Sequence, residues 1–491
     1  MSFFHLFASF FHRRAIGTIF PLPLEAYGAL ERTSAADTPL RQIVARALLE
    51  PMNVVVTLLF LAAILHIFSA GRIAAIGRNC RRRLINLPAN CLKSWLFRWS
   101  ARLCKLLGEM ELVFLIWVLP LLIAFCVRGG PMCFFRYVSR DVSFAEPIFI
   151  FAVMLVAATK PVLDLAERIL GRITLLGKGT VTAWWFSIFF FTPCFGSFVT
   201  EPAAITIASL LLARKFYELQ PSPKFAYASV GLLFVCISVG GALTHFAAPP
   251  ILMVARRWNW TLSHVFLHLG LRAVLGIFLS TTLYALFFRK ELKRLCAEEK
   301  QKKQSQPVEK NWPLAPLWLS FVHIFFIAWL VVHLHSPLII FCSFFLFSAI
   351  VKLTTIHQSP LRLRESLFVA VFLGGLVIHG GLQQWWIEPL FSRLNTLALF
   401  SLSAFLSAFN DNASVTYLTT LVPKFLSDVA LQHAIVAGAI TSGGLTIIAN
   451  APNPAGQALL RKYFPNGLSP LFLFISACPA TAIMAACFLV A

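Results

Sequence analysis

Charged residues are scarce in this chain. They make up 13% of its 491 residues, whereas a soluble domain carries roughly a quarter. Hydrophobic residues reach 58%, and the mean hydropathy is +0.78. A water-soluble protein of this composition would expose large apolar patches and aggregate. The composition therefore excludes a soluble domain and predicts a polytopic membrane protein.

Motifs for enzymatic and metal chemistry are also missing. The chain has no HExxH, GxSxG or GxGD, and GKGT at 177–180 lacks the glycine spacing of a phosphate-binding loop. Its 11 cysteines include no CxxC pair and no Cys/His cluster, which indicates buried, reduced thiols and signals no metal site. We therefore expect neither an enzyme nor a pump with its own ATPase domain, and no cofactor.

Acidic residues are outnumbered, with 20 Asp and Glu against 42 Lys and Arg, and the net charge is +22. The stretch 72–105 holds nine basic and no acidic residues, and 289–310 holds eight against four. In a membrane protein such stretches mark cytoplasmic loops beside anionic lipid, so we expect membrane lipid as a partner and no nucleic acid. The other connections predicted inside are 163–181, 215–224, 355–365 and 461–468; those predicted outside are 335–336, 384–388 and 427–433. The basic exceptions to this assignment are Arg128, Arg136, Arg140, Arg256 and Arg257.

Apolar segments recur along the chain at a length that suits membrane crossing. Because lipid leaves no water for unpaired backbone groups, and the segments are too long for barrel strands, we predict that they are helices. The twelve segments are 52–70, 110–127, 145–162, 182–214, 225–256, 264–288, 314–334, 337–354, 366–383, 389–426, 434–463 and 469–490.

Four of these segments are unusual. Segments 182–214 and 389–426 are too long for one crossing and have a polar interruption, so we predict re-entrant hairpins. Segments 225–256 and 434–463 break at Gly-Gly and Pro, which indicates broken helices. Treating 182–214 as a single crossing would place the basic linker 289–313 outside, so the charge distribution favours hairpins.

An internal repeat relates the two halves of the chain. At an offset of 210, Glu201 falls on Asp411 and GSFVTEPAAIT falls on SAFNDNASVT. Further on, VGGALTHFAAPP falls on SGGLTIIANAPNP. The predicted organisation is an uncleaved interfacial segment at 1–51, a first repeat at 52–288, the basic linker at 289–313 and a second repeat at 314–491. The loop charges place the two repeats in opposite orientations, which is typical of transporters.

The acids Glu201 and Asp411 carry the expected chemistry. A carboxylate at membrane depth is costly, and a bound cation or proton offsets that cost. Because Na⁺ and H⁺ compete for one carboxylate, alternating access to it produces exchange. Amide, hydroxyl and freed carbonyl oxygens would complete the shell of a hard cation. The candidate ion- and proton-binding residues are Ser197, Thr200, Glu201, Gly240, Gly241, Thr244 and His245 in the first half, and Asn410, Asp411, Asn412, Ser414, Thr416, Gly443, Gly444, Thr446, Asn450 and Asn453 in the second, with Na⁺ expected at Glu201, Asp411 and Asn412.

A structural interpretation of both acids stays open. Thr-Glu-Pro and Asn-Asp-Asn-Ala are good helix N-termini, so Glu201 and Asp411 could be capping residues. Capping and ion binding are compatible. His245, beside the first break, is a lone histidine of the kind that is more often a satisfied core residue.

With these motifs, residues 110–490 resemble the ion transporter superfamily, which includes sodium/proton antiporters of the NhaD kind, arsenite permeases and sodium-coupled dicarboxylate symporters. The closest similarity is to bacterial sodium/proton antiporters. The resemblance implies inverted repeats whose hairpin tips and helix breaks bind sodium, a homodimer, and a moving transport unit on a scaffold.

The chain departs from the symporters, because it lacks their Ser-Asn-Thr signatures at the tips. We therefore expect a secondary transporter that exchanges Na⁺ for H⁺ across a bacterial inner membrane, with small inorganic cations as its transported partners. A sodium- or proton-coupled carrier of dicarboxylates or oxyanions is the alternative. A membrane-embedded enzyme or scaffold is a third.

Overall fold

The computed structural model describes residues 20–27, 38–84, 92–305, 314–334, 336–464 and 467–490. Within these ranges the chain is helical and contains no strand, which confirms the all-α class. The helices are Pro39–Leu49, Met52–Leu84, Leu92–Leu107, Val113–Gly129, Pro131–Arg140, Ala145–Ala157, Lys160–Leu175, Val181–Val199, Glu201–Lys215, Pro223–Gly240, Pro249–Ala255, Leu262–Val265 continued by the π-helix Phe266–Gly270 and by Leu271–Phe287, Arg289–Ser305, Leu317–Val332, Pro337–Leu353, Leu363–Gly380, Gln384–Phe391, Thr396–Phe409, Asn412–Thr419, Val429–Ser442, Asn453–Leu460 and Pro470–Val490. Short 3₁₀ helices cover Met110–Leu112, Tyr217–Leu219, Gly241–Leu243, Thr355–His357, Gly381–Gln383, Pro423–Leu426 and Arg461–Tyr463.

Several helices are long and apolar enough to cross a bilayer. There are seven of them in the described ranges, or up to eight if one bent pair counts as a span. Eleven of the twelve predicted segments overlap one of these spans or one of four shorter apolar helices, and the twelfth, 145–162, overlaps the bent pair. The chain is therefore a multi-pass membrane protein. The seven are Met52–Leu84, Met110–Gly129, Val181–Val199, Pro223–Leu243, Leu262–Phe287, Leu363–Phe391 and Pro470–Val490; the shorter ones are Leu317–Val332, Pro337–Leu353, Thr396–Phe409 and Val429–Ser442.

The basic stretch 72–105 is not a loop where the structure describes it, so this part of the prediction is wrong. The helix Met52–Leu84 continues through the arginines at 81–83, and Leu92–Leu107 is helical as well. Lys and Arg favour helix, and nothing stops a membrane helix from continuing past the bilayer surface. Three other predicted connections, 163–181, 289–313 and 384–388, also contain helical residues, which belong to Lys160–Leu175, Arg289–Ser305 and Gln384–Phe391.

The predicted straight span 145–162 is bent. Its two helices, Ala145–Ala157 and Lys160–Leu175, meet at 62°. Pro161 has no N–H to donate, and its ring would clash with the carbonyl of residue 157 in a straight helix, which favours a bend at this point.

Capping residues shift two helix starts away from the predicted boundaries. Asn395 accepts a hydrogen bond from the N–H of Ala398 at 2.9 Å, so the second hairpin begins at 396 and not at 389. Asp428 accepts one from Leu431 at 3.1 Å, so the next helix begins at 429 and not at 434. Hydropathy alone does not detect these short polar signals. The predicted interfacial segment 1–51 lies outside the described residues except for 20–27 and 38–50, where Pro39–Leu49 is a helix.

Packing divides the chain into two units. The first comprises Met1–Pro147, Leu367–Arg393 and Leu421–Pro423. Its core is a cluster of apolar side chains contributed by three spans and the residues near them, namely Phe20, Met52, Val56, Leu121, Phe125, Phe134, Tyr137, Ile378 and Leu382. The second unit comprises Ile148–Ser366, Leu394–Thr420 and Lys424–Ala491.

The first unit contains two ion pairs at the starts and ends of its spans. Glu50, just before the helix Met52–Leu84, pairs with Arg128 at 2.9 Å. Arg46 pairs with Glu388 at 2.8 Å. Arg128 is one of the exceptions to the charge rule, and its pairing with an acid accounts for its position on the side predicted to be outside.

We expect Glu50→Gln to lower the thermal midpoint of the detergent-solubilised protein by several degrees. Glu50 and Arg128 are 4% and 12% exposed, and removing one partner of a buried pair typically costs about 3 kcal/mol. Glu298→Gln is the matched control, because Glu298 pairs with Arg294 at 2.6 Å on an exposed surface, where such a pair contributes less than about 1 kcal/mol. Equal shifts in a thermal unfolding assay would contradict this expectation.

The second unit contains both predicted hairpins and both broken helices. Each hairpin has two arms that pack against each other. The second arm of the first hairpin, Glu201–Lys215, packs on Asn453–Leu460, the second arm of the second broken helix. In the same way Asn412–Thr419, the second arm of the second hairpin, packs on Pro249–Ala255, the second arm of the first broken helix. The first hairpin is Val181–Val199 with Glu201–Lys215, the first broken helix is Pro223–Gly240 with Pro249–Ala255, the second hairpin is Thr396–Phe409 with Asn412–Thr419, and the second broken helix is Val429–Ser442 with Asn453–Leu460.

Candidate ion-binding site

Glu201 lies at the tip of the first hairpin, at the first position of the second arm. The preceding residue, Thr200, has φ 76°, a conformation that is strained for a β-branched side chain. Strain of this kind persists where the surrounding structure imposes it, and it is common at functional sites. The strained turn lets Glu201 start a new helix directly after the first arm ends at Val199.

Asp411 lies at the tip of the second hairpin. It is the N-cap of Asn412–Thr419, and its Oδ2 accepts the N–H of Ala413 at 3.1 Å. The next backbone N–H, that of Asn412, donates to the carbonyl of Ala449 at 3.1 Å, which ties the tip to the break in the second broken helix. The capping interpretation is therefore confirmed for Asp411. Glu201 differs, because its carboxylate bonds to a residue from the other half of the chain.

Each hairpin tip bonds to the broken helix of the other half. Asn450 donates through Nδ2 to Oε2 of Glu201 at 2.9 Å. Asn412 donates through Nδ2 to Oγ of Ser238 at 3.5 Å, and that hydroxyl donates to the carbonyl of Ile440 at 2.8 Å. These two bonds join residues that are 249 and 174 positions apart in the sequence.

Both carboxylates are removed from solvent. Glu201 is fully buried and Asp411 is 7% exposed. Neither acid forms an ion pair with any residue that the structure describes. Two like charges in a buried site without a basic partner are unfavourable, so a proton or a cation is needed to balance them.

Several residues at the hairpin tips and at the second helix break have buried oxygen atoms without a hydrogen-bond partner in the described part of the chain. Buried polar atoms are rarely left without partners, and such atoms can indicate a ligand or ion. All of these atoms are oxygens, the ligand type that a hard cation prefers. They are Oγ1 of Thr200, Oε1 of Glu201, Oδ1 of Asp411, Asn412, Asn450 and Asn453, and Oγ of Ser414.

Other predicted ligands join each hairpin to the broken helix of its own half. Ser197 donates to the carbonyl of Gly240 at 2.6 Å, and Thr244 donates to the carbonyl of Ser197 at 2.7 Å. The second half repeats this pattern, since Ser407 donates to Ala439 at 2.7 Å and Thr446 donates to Ala408 at 2.8 Å. These hydroxyl hydrogens connect each hairpin to its own broken helix, which gives the side chains a positioning role.

The remaining predicted ion ligands of the second half form hydrogen bonds within that half or connect its helices. The carbonyl of Gly443 accepts from Asn453 Nδ2 at 2.8 Å, and the same amide donates to the carbonyl of Thr446 at 2.9 Å. Thr416 donates to the carbonyls of its own helix at 3.2–3.3 Å. Asn410 has an extended backbone just before Asp411 and joins the two arms of the hairpin.

The Gly-Gly pairs allow close approach of the backbone at both breaks. A Cβ on Gly240 would lie 2.5 Å from the carbonyl oxygen of Pro193, and a Cβ on Gly241 would lie 2.6 Å from Oε1 of Glu201. A Cβ on Gly443 would overlap Oγ of Ser238, and one on Gly444 would overlap the backbone of Val235. Side chains larger than hydrogen are therefore excluded at these positions.

Two sets of polar side chains were not predicted from the sequence, namely Ser238 and a group of three histidines. Ser238, two residues before Gly240-Gly241, connects Asn412 to the second broken helix, and its only signal was its position beside the break. His264, His268 and His433 lie together, and the i, i+4 spacing of the first two was the available signal. His245 is half-buried at the first break, where its ring contacts Phe246 edge to face.

We expect Asn450→Ala to weaken Na⁺ binding without unfolding the protein. The amide supplies the hydrogen bond that orients Glu201, and a hydrogen bond to a charged group contributes about 1.5–3 kcal/mol, which corresponds to tenfold or more in affinity. The measurement is the Na⁺ concentration for half-maximal proton movement in proteoliposomes. Gln457→Ala, on the second arm of the same broken helix, is the control, and an unchanged Na⁺ dependence in Asn450→Ala would contradict the assignment.

Comparison with known proteins gives one match over most of the chain. The model of a protein family described as "Putative Na+/H+ antiporter" matches residues 51–491. A search of the curated proteins finds no match.

Proposed function

The chain belongs to this family of Na⁺/H⁺ antiporters, and we propose that it exchanges Na⁺ for H⁺ by alternating access to a site formed by Glu201 and Asp411. The observation that carries the proposal is the pair of buried carboxylates without an ion-pair partner in the described residues. An intramembrane acid of this kind marks an ion or proton pathway.

Competition between the two ions provides the coupling. With Na⁺ absent, a proton on each carboxylate neutralises it in the buried site. When Na⁺ enters, the carboxylate oxygens and the amide oxygens of Asn412 and Asn450 would coordinate it, and the protons leave. We propose that the two acids release and take up protons as a coupled pair and not as independent groups.

The four helix ends supply the polar environment for this exchange. Backbone breaks at membrane depth are tolerated where protein or a water-filled cavity covers them, and both breaks here are packed against a hairpin tip. The hydroxyl bonds of Ser197 and Ser407 keep each tip with its own break. We propose that these elements move as one body between the two faces of the membrane.

The finer features of this proposal rest on the resemblance and the loop charges. They comprise the inverted orientation of the two repeats, the arrangement of the ion transporter superfamily, a homodimer, and location in a bacterial inner membrane. The absence of Lys and Arg from the hydrogen bonds of Glu201 and Asp411, among the described residues, favours a cation over an anion as the transported species.

The test is proton movement in proteoliposomes that contain a pH-sensitive dye, with the membrane potential clamped. We expect an inward Na⁺ gradient alone to alkalise the lumen, because Na⁺ that enters is exchanged for H⁺ that leaves, while the same concentration of choline has no effect. Proton movement that requires an added dicarboxylate or oxyanion would instead favour the coupled anion carrier. No flux of any ion would reject a transport function.

A further inference from the structure

Three histidines form a cluster that the exchange site does not use. The ligand nitrogens of His264, His268 and His433 all lie within 4.8 Å of one another. His264 and His433 approach most closely, with 2.9 Å between their Nε2 atoms. Neutral imidazole is the commonest metal ligand in proteins, so three converging rings are a candidate site.

Local structure brings the three rings together. His264 and His268 are one turn apart near the start of the span Leu262–Phe287, on the same face of the helix. The turn between them is π-helical over Phe266–Gly270, a local deviation that is frequent at functional sites. His433 comes from the first arm of the second broken helix, which contacts this turn.

The ring of His268 is oriented for metal binding. Its Nδ1 lies 2.9 Å from the carbonyl of His264, so Nδ1 carries the hydrogen and donates it. That tautomer leaves the lone pair of Nε2 for a ligand. Metal-binding histidines usually donate their other N–H to a carbonyl or carboxylate in this way, which fixes the tautomer and the ring orientation.

The spacing of the nitrogens also suits a tetrahedral ion. Zinc–nitrogen bonds of about 2.0–2.1 Å place two imidazole nitrogens about 3.3 Å apart in tetrahedral geometry. The Nε2 atoms of His264 and His433 share a hydrogen bond at 2.9 Å, and metal binding replaces that bond, with its proton moving to Nδ1 or to solvent. The two nitrogens then need to separate by only a few tenths of an ångström, and His268 needs to approach from at most 4.8 Å. His268 is exposed and the other two are half-buried, so an ion can reach the cluster.

The surroundings position the rings and set the charge of the site. Trp260 packs against the rings of His264 and His433, and its Nε1 donates to Gln432 at 2.9 Å. The cluster includes no acid from the described residues. This neutral three-nitrogen set matches sites that hold Zn²⁺ and keep a fourth position open for water or an anion.

We propose that His264, His268 and His433 bind one divalent transition-metal ion, with Zn²⁺ as the expected species. The ion would fasten the start of the span Leu262–Phe287 to the first arm of the second broken helix. The π-helical turn also contacts the first break, since a Cβ on Gly270 would lie 3.2 Å from Ala242 O. A bound ion therefore restrains both broken helices at once and slows their movement.

The test measures metal binding by the purified full chain, separately from transport. The protein is solubilised in detergent, any affinity tag is removed, and Zn²⁺ is titrated by calorimetry. We expect one ion per chain, with His268→Gln and His433→Gln each lowering the affinity at least about tenfold, the range seen when metal-site interactions are removed. Cu²⁺ bound in place of Zn²⁺ should show nitrogen splitting in its paramagnetic resonance spectrum.

His333→Gln is the matched control. His333 is a half-buried histidine whose Nδ1 also lies 2.9 Å from the carbonyl four residues earlier and whose ring packs on Trp329, but it is outside the cluster. Zinc affinity that is unchanged in His268→Gln and His433→Gln, or that falls equally in His333→Gln, would overturn the proposal. So would a copper spectrum without nitrogen splitting. Because binding is measured directly, these outcomes are independent of whether the chain exchanges Na⁺ for H⁺.

Discussion

Replacing Asp411 with asparagine is expected to reduce Na⁺-driven proton movement to the background of protein-free liposomes. Asparagine caps a helix as well as aspartate does, so the bond to the N–H of Ala413 at 3.1 Å can be retained. The substitution removes the negative charge and the titratable proton while it leaves the local fold in place. If Asp411 acts only as a cap, the variant will transport normally.

Asp428→Asn is the matched control for this variant. Asp428 is the N-cap of the second broken helix and accepts the N–H of Leu431, three residues on, at 3.1 Å, but its side chain is outside the proposed site. We expect Asp428→Asn to keep its transport rate. Loss of transport in both variants would show that capping, and not the charge at the hairpin tip, is what matters.

Glu201→Gln extends the argument to the first half. Glutamine has nearly the same shape, and its side-chain oxygen can still accept from Asn450, which is 2.9 Å from the native carboxylate. Transport should again fall to background, because a neutral amide cannot exchange a proton for a cation. Normal transport in both Glu201→Gln and Asp411→Asn would reject the proposed site.

Replacing Gly241 with alanine is expected to lower the initial rate of exchange about tenfold or more. The added methyl group would lie 2.6 Å from Oε1 of Glu201 and 2.7 Å from Cβ of Ala248, closer than atoms tolerate. Overpacking of this kind costs about 1–3 kcal/mol, and the displaced atom is the one that the proposal assigns to the ion. The backbone accepts alanine without strain, because φ of Gly241 is −70°.

The equivalent change in the second half is Gly443→Ala, with φ −62° in the native chain. Its methyl group would overlap Ser238 and lie 2.8 Å from Nδ2 of Asn412. Gly171→Ala is the control, because the nearest atom to its added Cβ is a ring atom of Trp184 at 3.9 Å. Rates are compared at equal amounts of monodisperse protein, and a Gly241→Ala rate equal to that of Gly171→Ala would contradict the close packing at the first break.

Much of the site was predictable from the sequence because membrane depth makes polar residues conspicuous. Acids, amides and Gly-Gly pairs are rare in apolar segments. The hairpin motifs of the two halves, related by an offset of 210, predicted where the hairpins turn, and the Gly-Gly motifs, related by an offset of about 203, predicted where the helices break. The structure turns at Thr200 and at 410–411, and it breaks after Gly240 and Ser442. Helix starts were less predictable, because single caps such as Asn395 set them and hydropathy does not register one polar residue.

Sequence alone determined that this chain is an all-helical membrane protein and which polar residues interrupt its apolar segments, because the absence of water in lipid restricts both the backbone and the charged side chains. The tertiary structure decided which of those residues meet. The pairing of Glu201 with Asn450, of Asn412 with Ser238, and of His433 with His264 depends on helix packing between segments 169 to 249 residues apart. No local pattern encodes such contacts, since they arise from the shapes of whole helices and not from the spacing of neighbours along the chain.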